Sequence, residues 1–124
     1  MREAAGMSAS QDRITLELVK GALGAGRTDM EGLIARTSMS PFIPEKKDFF
    51  TAFLDREGNL VVSTALTLAG NLVAAILEQY PRDEMRDGGL YWYNDVYASK
   101  GGVSQVNDTV FVVPVFDGGR RVAL

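Results

Sequence analysis

The segment Tyr93–Phe116 reads YNDVYASKGGVSQVNDTVFVVPVF, and its alternation of aromatic, loop-forming and apolar stretches sets the fold class. Leu90–Tyr93 predicts a short aromatic strand, with Tyr91 and Tyr93 on one face and Trp92 on the other. Ala98–Asn107, carrying Gly101 and Gly102, predicts a loop. Thr109–Phe116 is almost wholly apolar, the pattern of a strand covered on both faces, and Pro114 places it near an edge or a bulge. Asp117-Gly118-Gly119 then predicts a turn and Arg120–Leu124 a further strand. Asp95 and Asp108 stand beside these strands where a loop leaves them, the usual location of functional groups on a rigid scaffold.

Working toward the N-terminus, Gly88-Gly89 marks a turn, and Leu68, Leu72, Val73, Ile76 and Leu77 fit an amphipathic helix that ends before Pro81. Phe49–Leu54 and Leu60–Ser63 predict a hairpin whose connection, Asp-Arg-Glu-Gly-Asn at 55–59, offers Gly58 for positive φ. Pro41 and Pro44 are expected to stop helical structure. Leu16, Val19, Leu23, Gly26, Met30 and Leu33 recur at helical spacing after a possible cap at Asp12. Four glycines in that span leave two readings, one long helix or two helices broken near Gly24, and the single helix is preferred. Residues 1–11 are small and polar and are expected to be flexible. Residues 12–124 are expected to form a single α+β segment: a long N-terminal helix, a β-hairpin, a second helix, then strands of an incomplete mixed sheet.

Composition narrows the chemistry. The 124 residues include no cysteine and no histidine. Thiolate nucleophiles, imidazole bases and zinc–thiolate sites are excluded, and any metal held by this chain alone would sit on oxygen ligands. The net charge is −3 and the 13 basic residues are spread along the sequence, which argues against nucleic acid as a partner. The N-terminus lacks a signal-peptide apolar core, and the stretch Leu66–Leu77 is too short to span a bilayer, so a cytoplasmic location is the default. GALGAG at 21–26 has the wrong glycine order for a dinucleotide loop, and SKGGVS at 99–104 lacks phosphate-loop spacing. Asp55 and Asp87 read as turn residues. The aromatic groups Tyr91–Tyr93 and Tyr97, and Phe42, Phe49, Phe50 and Phe53, read as core or interface. Arg36 and Asp48 read as an ion pair or structural contacts.

Three blocks in register resemble the large subunits of the hydantoinase B/oxoprolinase family, in the branch of acetone- and acetophenone-carboxylases. They are ARTSMSPFIPEKKDFFTAFLDREGNLV (35–61), GNLVAAILEQYPRDEMRDGGLYWYND (70–95) and the opening segment (93–116). The resemblance implies an ATP-dependent amidohydrolase or a ketone carboxylase, acting on a cyclic amide or a ketone. It implies a hetero-oligomer with an ATP-binding hydantoinase-A-like subunit, and a divalent metal, manganese or zinc. Because family members are several times longer, it also implies that this chain is the N-terminal part of a larger subunit, inactive alone. Carried over residue by residue, it makes Asp108 and Gln105 the metal-position residues and Asn94 and Asp95 a supporting or substrate-facing pair, with Asp108, Asp95 and Asn94 the candidate catalytic groups. Gln105 stands where the family usually has histidine, and an amide carbonyl is the weaker ligand for a transition metal. Val96 replaces a usual proline and Gly89 a common aspartate, and the histidines often found before the second helix are missing. The alternative is a non-catalytic assembly module that has lost the metal site.

Overall fold

The computed structural model describes residues 9–64 and 71–124. The chain divides into two compact units, one running to Thr51 and the other from Ala52 to Leu124.

The first unit is built on α1 (Ala9–Thr37), a single helix of 29 residues, about 44 Å long at the standard rise. The preferred reading of one long helix is what the structure shows, and the glycines do not break it. The helix opens before Asp12, which lies in its first turn instead of capping it, while Arg36 occupies the last turn. Both charges complement the helix dipole. Arg27 and Glu31 pair one turn apart at 2.6 Å, and the Thr51 hydroxyl lies 3.4 Å from the Glu31 carboxylate and 3.5 Å from the Arg27 carbonyl. Thr51 is thereby buried against the middle of α1. The face predicted from spacing is half-buried at Leu23, Gly26 and Met30, and exposed at Leu16, Val19 and Leu33. The two prolines act differently from expectation. Pro41 caps a short α2 (Phe42–Lys46) and Pro44 lies within its first turn, where no intrahelical N–H is needed. Lys47, at φ 51°, ends it. Among the described residues Arg36 and Asp48 form no ion pair.

The second unit opens with a hairpin of β1 (Ala52–Leu54) and β2 (Leu60–Ser63), paired antiparallel with a shift in register after Phe53. Its turn is organised by Asp55. One carboxylate oxygen accepts the N–H groups of Glu57 and Asn59, and the other accepts the Asn59 side-chain amide. These bonds, led by those from Asn59, hold the Asp55 pKa below the usual carboxylate range. Gly58 takes φ +91°, as the turn requires, and a Cβ there would lie 2.7 Å from Val73 and 2.9 Å from Leu77. Helix α3 (Ala74–Gln79) therefore seats directly on the turn. It is shorter than predicted, and the expected helical position at Leu68 lies outside the described residues. The Asn71 side chain accepts the Val73 N–H ahead of the helix.

Among the described residues the strands form three antiparallel pairs in place of one mixed sheet. β3 (Tyr91–Tyr93) pairs with β4 (Val110–Val112), and β5 (Val115–Asp117) pairs with β6 (Arg120–Ala123). The single strand expected over Thr109–Phe116 is split, because Pro114 has no N–H for a ladder. Nor is it covered on both faces: Val112 and Pro114 are buried, whereas Phe111, Val113 and Val115 are exposed. Gly118 and Gly119 both take positive φ in the β5–β6 turn, as a tight two-residue hairpin demands. Leu54 and Leu124 exchange backbone hydrogen bonds at 2.8 and 3.1 Å, which ties β1 to the end of β6. The core joins Val73, Ile76, Met85, Val112 and Leu124, with Leu54, Leu77, Tyr91, Tyr93 and Val110 packed around it.

Two glycine substitutions should have opposite signs. Gly58→Ala should destabilise by about 2–4 kcal/mol, combining left-handed strain with overpacking. Gly21→Ala, where a Cβ meets nothing within 4 Å, should stabilise by up to about 1 kcal/mol. Thermal unfolding followed by circular dichroism checks both. The depressed Asp55 pKa sets a pH signature as well. Its contribution is complete above the ordinary aspartate pKa of about 4 and is lost as pH falls through the lower folded value. In urea unfolding, the advantage of the native chain over Asp55→Asn should shrink across that acidic window, and a pH-independent difference would contradict the assignment.

Candidate functional site

The predicted site residues lie on the loop between β3 and β4 and at its two ends. Alternation along β3 sends Tyr91 and Tyr93 toward the core and leaves Trp92 exposed. Tyr91 meets the Tyr80 ring edge-on at 5.0 Å. The Tyr93 hydroxyl donates to the Leu72 carbonyl at 2.6 Å, and burial raises its pKa above the usual phenol value. Gly102 is required beside it, since a Cβ there would lie 2.8 Å from that hydroxyl and 3.1 Å from the Ser99 carbonyl.

The loop is held from within. Asp95 Oδ1 accepts the backbone N–H groups of Tyr97 and Ala98 at 2.8 and 3.0 Å, and its carbonyl accepts the Ser99 N–H. Ser99 is fully buried, with its hydroxyl on the carbonyls of Val96 and Val103. Lys100, at φ 53°, and Gly101, at φ 90°, then reverse the chain, and the Lys100 ammonium pairs with Glu78 of α3. Sequence reading did not single out Ser99 or the Tyr93–Gly102 contact. The glycine pair at 101–102 was the visible signal, since adjacent glycines mark places where backbone must pass close to another group.

Gln105 and Asp108 are brought together. The Gln105 amide donates to Asp108 Oδ1 at 3.1 Å, and the Asp108 N–H returns to the Gln105 carbonyl at 3.1 Å. Gln105 is exposed and Asp108 half-buried. Asn94 reaches across the same loop to the Val106 carbonyl at 3.3 Å. Asn94, Gln105 and Asp108 therefore share one end of the β3–β4 ribbon, while the Asp95 carboxylate is committed to the turn. Beyond Asn94, the outer face of the ribbon carries Leu90, Trp92, Phe111 and Val113, all exposed, with the Trp92 and Phe111 rings 6.5 Å apart.

The donor chemistry does not complete a metal site. One carboxylate and one amide provide too few ligands for manganese or zinc, and the amide presents its nitrogen to the carboxylate. Among the described residues no group of three or more acidic, histidine or cysteine side chains gathers around a common point. What the cluster offers is a carboxylate able to exchange a proton and two amides able to orient a polar ligand. No described helix is long and apolar enough to cross a membrane.

The family model for Hydantoinase B/oxoprolinase matches residues 12–124. The chain belongs to the Hydantoinase B/oxoprolinase family. No curated protein and no solved structure matches it. In this hydantoinase/oxoprolinase-type chain, the matched span includes the ribbon, the loop and the Gln105–Asp108 pair.

The phenol of Tyr93 provides a direct check on the loop. In a spectrophotometric titration, one of the four tyrosines should ionise above the usual phenol range of about 10, and Tyr93→Phe should remove that component. The associated stability is present below the ordinary phenol pKa and is lost as pH rises through the higher folded value. A Tyr93→Phe protein with an unaltered high-pH limb would contradict the half-buried hydroxyl.

Proposed function

We propose that this chain works in the cytoplasm as the N-terminal part of a hydantoinase B-type subunit in an ATP-dependent amidohydrolase or ketone-carboxylase complex. The observation that carries the reading is the family match across residues 12–124, together with the grouping of Asn94, Gln105 and Asp108 inside it. On this reading a hydantoinase-A-like partner binds ATP and activates a cyclic amide or ketone. Asp108 supplies the carboxylate that exchanges a proton with the substrate. Asn94 and Gln105 orient the substrate's polar atoms, and Asp95 positions the loop that carries them. Asp108 and Gln105 also occupy the position where the resemblance expects manganese or zinc. They would supply part of a ligand set that other groups complete.

A second reading, a non-catalytic assembly module, is favoured by the exposed apolar face of Leu90, Trp92, Phe111 and Val113. Scattered exposed apolar residues are ordinary, but a contiguous aromatic face is a contact surface in waiting.

Co-expression with a hydantoinase-A-like subunit separates the two. The catalytic reading expects a complex with ATP-dependent turnover of a cyclic amide, or bicarbonate- and ATP-dependent turnover of a ketone. It expects Asp108→Ala to lower kcat by at least about 100-fold, the range of a lost acid–base group, with the complex intact. The assembly reading expects Asp108→Ala to have no effect, and Trp92→Ser with Phe111→Ser to release the partner. Loss of neither turnover nor partner in these variants would sink both. Gln105→His should raise the manganese or zinc retained by the complex. An unchanged metal content would remove the metal-position assignment.

A further inference from the structure

The basic residues look scattered in the sequence, yet folding gathers three arginines from separate segments of the second unit. Arg56 lies in the β1–β2 turn, Arg82 follows α3, and Arg121 belongs to β6. Arg121 Nη2 donates to the Arg56 carbonyl at 2.8 Å, and Arg82 Nη2 donates to the Glu57 carbonyl at 3.0 Å. Two guanidinium groups are thus fixed on neighbouring carbonyls of one turn. Burial first, and then the positive charge of Arg82, push the Arg121 pKa below its usual value, with Glu57 opposing them. Holding like charges together costs free energy that an anion would recover.

The acids nearby provide only part of that negative charge. The Glu57 carboxylate is bonded to Arg56 Nε at 2.8 Å. The Asp55 carboxylate is committed to the turn through Glu57 and Asn59. An open cleft of about 290 Å³ lies beside the turn, lined by Asp55, Arg56, Glu57, Arg120, Arg121 and Val122. Three arginines face two acids there, and Arg82 adds to the excess. Arg121 Nη1 also faces the Met85 sulfur at 3.4 Å, while the hydrogen bonds of Arg56 and Arg82 each use only part of a guanidinium fork. A carboxylate has two oxygens and is satisfied by one fork, whereas a phosphate group has three oxygens, nearly two charges, and suits several forks at once.

We propose that this cleft, walled by Arg56, Arg120 and Arg121 and backed by Arg82, binds the phosphate group of a small phosphorylated molecule. The site is separate from the Asn94–Gln105–Asp108 cluster and does not depend on the function proposed for it.

Inorganic phosphate is the probe, added to the full chain at constant ionic strength and compared with acetate and chloride. Thermal unfolding and titration calorimetry should show saturable stabilisation by phosphate and a much smaller response to the other two anions. Arg56→Gln, whose side chain is largely exposed, and Arg120→Gln should each weaken phosphate binding by about tenfold, the cost of one charge-assisted bond. Lys20→Gln, a charge removed from the first unit, should leave binding unchanged. Equal responses to phosphate, acetate and chloride would overturn the proposal, as would equal weakening by Lys20→Gln. Unaltered phosphate binding in both arginine variants would overturn it too. Arg121→Gln removes a turn anchor, so Arg56→Gln and Arg120→Gln decide the outcome if that variant does not fold.

Discussion

Among the described residues, three two-stranded ladders share one six-residue helix, and the second unit depends on that arrangement. An isolated two-stranded ribbon is marginal in water. Here Val73 and Ile76, both about 2% exposed, supply the apolar surface on which the unit packs. The bare Cα of Gly58 lets the first hairpin turn approach Val73 and Leu77. Tyr91, Tyr93, Val110 and Val112 bring the second ribbon against the same cluster, and Leu124 brings in the third. On the second ribbon the residues that alternate with these, Trp92, Phe111 and Val113, are left exposed.

The candidate site inherits its geometry from this core. Tyr93 is both a core side chain and the residue before Asn94, so its bond to Leu72 fixes where the loop departs. Buried Ser99 and the Asp95 turn then hold the loop backbone by local hydrogen bonds. Gln105 and Asp108 close it at the far end. Loop residues are thus placed by bonds that need no partner, while the outer face of the ribbon stays open.

Local chemistry made much of this legible in the sequence. The hairpin at 55–59 followed from its turn residues, with Gly58 at positive φ as expected, and the paired faces of Tyr91 and Tyr93 followed from period two. The long helix was readable from apolar spacing despite its glycines. What spacing could not show was cover: Leu16, Val19 and Leu33 have the right period and are still exposed. Pro41 and Pro44 carry the signal of a helix breaker, but a proline also suits a helix start, and only the backbone distinguishes the two. The separation of Arg56, Arg82 and Arg121 by tens of residues hid their convergence, since no local rule links a turn, a post-helix loop and a strand. Residue order brought Gln105 and Asp108 close. It did not show that the amide would bond the carboxylate.

The division of the apolar run at Pro114 has a bearing on the unfolded chain. TVFVV, residues 109–113, is uncharged and rich in β-branched and aromatic residues, the composition that stacks into cross-β aggregates. With proline at 114, the following Val115 and Phe116 cannot extend that segment by a continuous set of N–H donors. The residue that separates β4 from β5 in the native unit is therefore also a gatekeeper, limiting the length of sticky strand that the chain exposes before its ribbons find the core.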